Sequence, residues 1–90
     1  LHLPSGGSVF RNPPGQKAGF LIDQAGLKGL QVGGAMISEK HANFIVNVDQ
    51  ASAQDIHSLI SKVQNQVFEK FAVRLIPEVK LVGEWSEDSV

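Results

Sequence analysis

The period of the apolar positions changes several times along this 90-residue chain, and the changes mark out its elements. The stretch "SAQDIHSLISKVQNQVFEKFA" carries Ile56, Leu59, Ile60, Val63, Val67 and Phe71 at helical spacing, so they form one continuous stripe. Ser52 stands where an N-cap belongs and Asp55 follows three residues later. In such a capping box each side chain satisfies the other residue's free backbone amide. A shorter helical pattern begins at Lys17, where "KAGFLIDQAG" has apolar residues at 18, 21, 22 and 25. Gly26 is placed to close it in the left-handed conformation. Gly19 inside this helix costs about 1 kcal/mol relative to alanine, which implies close packing there.

Elsewhere the period is two. In "ANFIVNV", residues 42–48, Ala42, Phe44, Val46 and Val48 share one face, and Asn43, Ile45 and Asn47 the other. A short strand is expected over "SVFR", residues 8–11, ending at Asn12 because Pro13 and Pro14 cannot donate to a ladder. Another is expected at 30–32, bracketed by Gly29 and the Gly33–Gly34 pair. The runs "VRLI" and "EVKLVG" close the chain on either side of Pro77, with Val79 and Leu81 on one face of the second and Glu78, Lys80 and Val82 on the other. Residues 1–7 read as a leading loop. The order predicts an α+β domain over residues 1–90, two helices packed on one face of a small, mostly antiparallel sheet.

Composition narrows the function. Eight Lys+Arg against nine Asp+Glu give a formal charge of −1, without the basic patch of a nucleic-acid binder. An anionic small molecule still needs only one or two placed cations. No cysteine is present, which removes disulfides, thiolate zinc and a thiol nucleophile, and mildly favours a reducing compartment. Apolar runs such as "FAV" and "FIV" are far too short for a membrane span. The opening "LHLPSGG" has neither an initiator Met nor a leader and reads like the middle of a longer protein. A chain of this length buries roughly 60–65% of its unfolded surface and holds one modest core.

Few residues announce chemistry. There is no G-x-G-x-x-G or Walker-type loop, and His2, His41 and His57 lack metal-ligand spacing. Gly33–Gly34 can admit a phosphate to the backbone, but such a pair is more often only a turn. Ser8 leaves a glycine pair at a strand start; its hydroxyl can protonate a strongly basic carbon centre, or simply cap a turn. Asn12 before Pro13 is a turn former or a ligand contact. Lys28, in "GLKGL", projects from a tight joint toward an anion or toward solvent. Glu78 follows Pro77 on the face of Lys80, where a cross-strand ion pair is the plain reading. Singly, each supports no more than a soluble domain that can bind an anion.

Taken together, three blocks change the picture. "GSVFRNP", "AGFLIDQAGLKGLQVGGAMISEKHANFIVN" and "PEVKLVGE", in that order, resemble the C-terminal third of the UDP-N-acetylenolpyruvoylglucosamine reductases, the bacterial MurB flavoenzymes. The resemblance covers residues 5–84. It implies a substrate-binding domain of a cytoplasmic enzyme of peptidoglycan synthesis. That enzyme reduces the enolpyruvyl group of UDP-N-acetylenolpyruvoylglucosamine to a lactyl ether, giving UDP-N-acetylmuramate, with NADPH reducing a bound FAD. The family's proton-donating serine falls on Ser8 and its catalytic glutamate on Glu78, which hydrogen-bonds the enolate. The L-K-G lysine, expected at the diphosphate, falls on Lys28, and a substrate-contacting asparagine on Asn12. His41 occupies a substrate-facing position that is glutamine in some relatives. Lys80 stands where the family commonly has arginine, which keeps charge but loses bidentate pairing. The family's FAD-binding domain, and the arginine that partners the glutamate, precede this segment. The 90-residue piece is therefore expected to be inactive alone, with the rest of its own polypeptide as its partner and no role for nucleic acid or membrane.

Two other readings compete. A non-catalytic nucleotide-sugar-binding or interaction module of the same fold needs neither Ser8 nor Glu78. A hydrolase using Ser8 lacks a Gly-x-Ser-x-Gly elbow and a paired histidine.

Overall fold

Residues 8–78 are described by the computed structural model of the chain. They form α1 (Ala18–Gln24), β1 (Gln31–Val32), β2 (Ala35–Ile37), β3 (Ile45–Asn47) and α2 (Ala53–Phe71). The sheet is antiparallel in the order β1-β2-β3, and the α+β class is the expected one.

Helix α2 starts where the sequence placed it. Ser52 Oγ accepts the Asp55 amide at 3.0 Å, and Asp55 Oδ2 accepts the Ser52 amide at 3.1 Å. Ile56, Leu59, Val63 and Val67 are fully buried, each contributing about 1.5–3 kcal/mol of transfer free energy. Ile60 and Phe71 flank them, half-buried. This stripe covers β1 and β2, while α1 packs on α2. Lys70 in the last turn faces the helix's negative end. No helix among the described residues is long and apolar enough to cross a membrane.

The sheet register explains which face of each strand packs. Ala35 pairs Asn47 and Ile37 pairs Ile45, while Met36 pairs Val46. Ala35 and Ile37 are fully buried, so the Ile45 side of β3 faces the core and Val46 and Val48 stand exposed.

Several expected boundaries shift. β2 was not foreseen as a strand; it is the return arm of a two-residue hairpin, with Val32 paired to Ala35 and Gly33 at φ +56. β3 is shorter than 42–48, because Ser38 Oγ accepts the amides of Lys40 and His41, and the Phe44 amide bonds to the His41 carbonyl. That turn takes up Ala42–Phe44. Residues 8–11 and 73–76 are not strands: one isolated antiparallel bridge joins Phe10 to Pro77. Pro77 has no N–H to extend the ladder, and the other edge of Phe10 is met by a side chain. Gly26 closes α1 at φ +76, as expected. At Gly19 a Cβ would stand 3.6 Å from that of Asn43, an ordinary contact, so close packing does not demand this glycine. The run 79–84 and its faces lie outside the described residues.

Asp55 does more than cap. Its Oδ2 also accepts the Gly34 amide at 3.1 Å, tying α2 to the hairpin. The Gly34 amide foremost, then the Ser52 amide, hold the carboxyl below its ordinary value of 3.8 against desolvation, with the Ser52 hydroxyl adding least. A carboxyl lowered in the folded state stabilises fully above its ordinary value and loses that contribution as pH falls through the lowered one. Acid unfolding of the wild type should therefore steepen below about pH 3.8, and Asp55→Asn should remove that component. Equal acid slopes for the two proteins would exclude Asp55 as its source.

Candidate active site

The two ends of the described residues meet at the Phe10–Pro77 bridge. The Glu78 amide donates to the Val9 carbonyl at 2.8 Å, and the Arg11 amide to the Ile76 carbonyl at 2.9 Å. These bonds flank Phe10 and Pro77 and make them a non-hydrogen-bonded pair, a position that suits a residue without an N–H. Ser8 adjoins the residue whose carbonyl holds Glu78, so backbone positions 70 residues apart become neighbours. Ser8 is half-buried and Glu78 exposed.

A cleft of about 320 Å³ is lined by Lys28, Lys40, His41, Asp23, Asn43 and Phe44, among others, but by neither Ser8 nor Glu78; Asn43 connects it to residues 9 and 10. Two of the sequence candidates, Lys28 and His41, are thus brought together. Lys40 joins them unforeseen; only the turn built on Ser38 Oγ swings it to this side, and nothing in the local "SEKH" pattern signals it. Lys28 Nζ stands 3.6 Å from Asp23 Oδ2, with both side chains well exposed. Such a surface pair contributes at most about 1 kcal/mol, so an incoming anion can take the lysine. The His41 ring tilts 50° against Phe44, 5.6 Å between centroids.

Asn12 sits apart from this group. Its Oδ1 accepts the Ala18 amide at 2.9 Å, which caps α1, whose N-cap residue Lys17 makes no side-chain cap bond. A ligand contact would fall to its Nδ2. It lines a different cleft, of about 220 Å³, with Arg11, Arg74 and Ile76; the Arg74 guanidinium lies 5.0 Å over the Phe68 ring. Lys80 lies outside the described residues. The Gly33–Gly34 pair is a turn and not a phosphate cradle: the Gly34 amide is taken by Asp55, and a Cβ on Gly34 would overlap the Asp49 carbonyl.

Sequence reasoning missed Asn43. Its side-chain carboxamide pairs with both main-chain groups of Phe10 while the residue lines the lysine cleft. It joins the cleft to Phe10 across 33 residues, a separation at which local pattern carries no signal.

Residues 1–82 match the family model described as UDP-N-acetylenolpyruvoylglucosamine reductase, C-terminal domain. A protein of that name from Synechococcus elongatus is 60% identical over 86 residues, 96% of this chain and 29% of the relative. UDP-N-acetylenolpyruvoylglucosamine reductase 2 of Symbiobacterium thermophilum is 58% identical over 83 residues, 92% of this chain and 27% of the relative. The crystal structure of the Thermus caldophilus reductase (MurB) superposes with a TM-score of 0.67 at 54% identity, covering 80% of this chain and 26% of that one. The chain spans less than a third of the length of these relatives. With the family model matched over residues 1–82 and relatives this similar, the chain belongs to the UDP-N-acetylenolpyruvoylglucosamine reductase family, as its C-terminal domain.

Proposed function

We propose that this domain binds UDP-N-acetylenolpyruvoylglucosamine and delivers the proton that completes its reduction to UDP-N-acetylmuramate, within a longer cytoplasmic flavoprotein of peptidoglycan synthesis. The observation that carries the reading is the pairing of Val9, next to Ser8, with Glu78, joined through Asn43 to a cleft bordered by two lysines.

Lys28, with Lys40 across the cleft, neutralises the substrate's diphosphate, and Asp23 gives up Lys28 as the anion arrives. His41 borders the same cleft and takes a polar group of the substrate; Asn12 and Lys80 are secondary contacts. A hydride added to the terminal CH2 of the enol ether makes it a methyl group and sends the double-bond electrons to the carbon bearing the carboxylate. The Ser8 hydroxyl gives that carbon its proton, and solvent reprotonates the serine. Glu78 helps to bind and stabilise the developing enolate through hydrogen bonding, where placed groups count most because the charge develops only in the transition state.

The hydride is the contribution of FAD reduced by NADPH, and the residues present do not fit that group. The described clefts, about 220–330 Å³, are bordered by no glycine-rich turn opening a helix of the dinucleotide-binding kind. The flavin belongs to the remaining length of the family's proteins, and this domain by itself is inactive.

In the full-length enzyme, Lys28→Ala should raise the KM for the UDP-sugar about 10- to 100-fold, the usual loss for one charge-assisted hydrogen bond, with flavin reduction by NADPH unchanged. An unaltered KM would take the diphosphate away from this cleft.

A further inference from the structure

The main-chain groups of residues 9 and 10 are paired as follows. The Val9 N–H donates to the Asn43 carbonyl at 2.8 Å, and the Val9 carbonyl accepts from Glu78. The Phe10 N–H donates to Asn43 Oδ1 at 2.9 Å, and the Phe10 carbonyl accepts from Asn43 Nδ2 at 2.9 Å. Asn43 thus makes three of these four bonds and stands in for an entire neighbouring strand. Val9 and Phe10 are buried, where an unpaired amide or carbonyl costs about 1–3 kcal/mol. Asn43 is itself held at the end of the Ser38 turn, between His41 and β3, and borders the lysine cleft.

We infer that Asn43 is the positioning residue for the proton donor: it sets residues 8–10 at the height where the Ser8 hydroxyl meets the substrate carbon, and links that height to the wall that binds the anion. The inference rests on Ser8 being the donor. An asparagine alone among side chains of this length both accepts and donates in the fork that Phe10 requires, so aspartate, of nearly the same shape, breaks the pair by facing a carbonyl with a carboxylate.

The test uses the full-length enzyme and separates its half-reactions. Asn43→Ala should leave reduction of the flavin by NADPH unchanged and slow its reoxidation by the enolpyruvyl substrate by about 100-fold, the scale for roughly 1 Å of misplacement. Asn43→Asp should do the same, and carries the test if the alanine variant does not fold. A purely structural role would add its effect to any other; positioning through the serine would not. In a Ser8→Ala background, Asn43→Ala should therefore slow reoxidation by no more than about twofold further. Normal reoxidation in both Asn43 variants, or a full additional loss in the Ser8→Ala background, overturns the inference while leaving Ser8 as donor. Normal reoxidation in Ser8→Ala alone overturns the donor reading and this inference with it.

Discussion

Ser8→Ala in the full-length enzyme is expected to leave the flavin bleaching normally with NADPH, and to slow its recovery on adding the enolpyruvyl substrate by about 10²- to 10⁴-fold. That range is what a positioned general acid supplies. The reason lies in where the charge goes. Once the terminal carbon has accepted a hydride, the neighbouring carbon holds an electron pair that solvent must otherwise protonate, and the hydroxyl of half-buried Ser8, whose neighbour Val9 pairs with Glu78, answers that need at once. Stopped-flow absorbance of the flavin measures both halves in one experiment. Binding should hold, because the lysine cleft is untouched; a raised KM with normal reoxidation would make Ser8 a binding residue and remove it from the chemistry.

The largest effect on stability is expected at Gly34. A Cβ there would run into the Asp49 carbonyl and lie 2.6 Å from the Ala51 amide. Both are backbone atoms, in the segment that enters α2, and the Ala51 amide is itself fastened to Asn47 Oδ1 at 2.9 Å. Relief requires moving the hairpin off the helix start, which also pulls the Gly34 amide from Asp55. Gly34→Ala should cost about 3 kcal/mol, the upper end for overpacking, a large part of the whole margin of a domain this size. Gly33→Ala is the comparison. It takes a positive φ of 56°, costing about 1–2 kcal/mol, and meets the Asp55 carboxylate, a side chain that can shift where backbone cannot, though at the expense of its bonds to Gly34 and Ser52. Gly34→Ala should therefore melt well below Gly33→Ala in a thermal scan. The reverse order would mean that the hairpin packs on α2 less tightly than these contacts require.

What the sequence determined by itself was local. The capping box, the extent of α2 and its buried stripe were legible because their interactions span three or four residues. The closing glycine of α1 was legible for the same reason, since a left-handed φ is a property of one residue. Family membership was legible in three ordered blocks, and with it the candidates Ser8, Glu78, Lys28 and His41. The tertiary structure decided what long-range pairing decides. Residues 8–11 could not become a strand because their partners are a proline on one side and a carboxamide on the other. Asn12, expected at the substrate, spends its oxygen capping α1. Lys40 reaches the cleft by a serine-bonded turn, and Asn43 reaches Phe10 across 33 residues. A side chain's partner at that distance depends on how the whole chain closes, and period and propensity report only the neighbours a residue has along its own element.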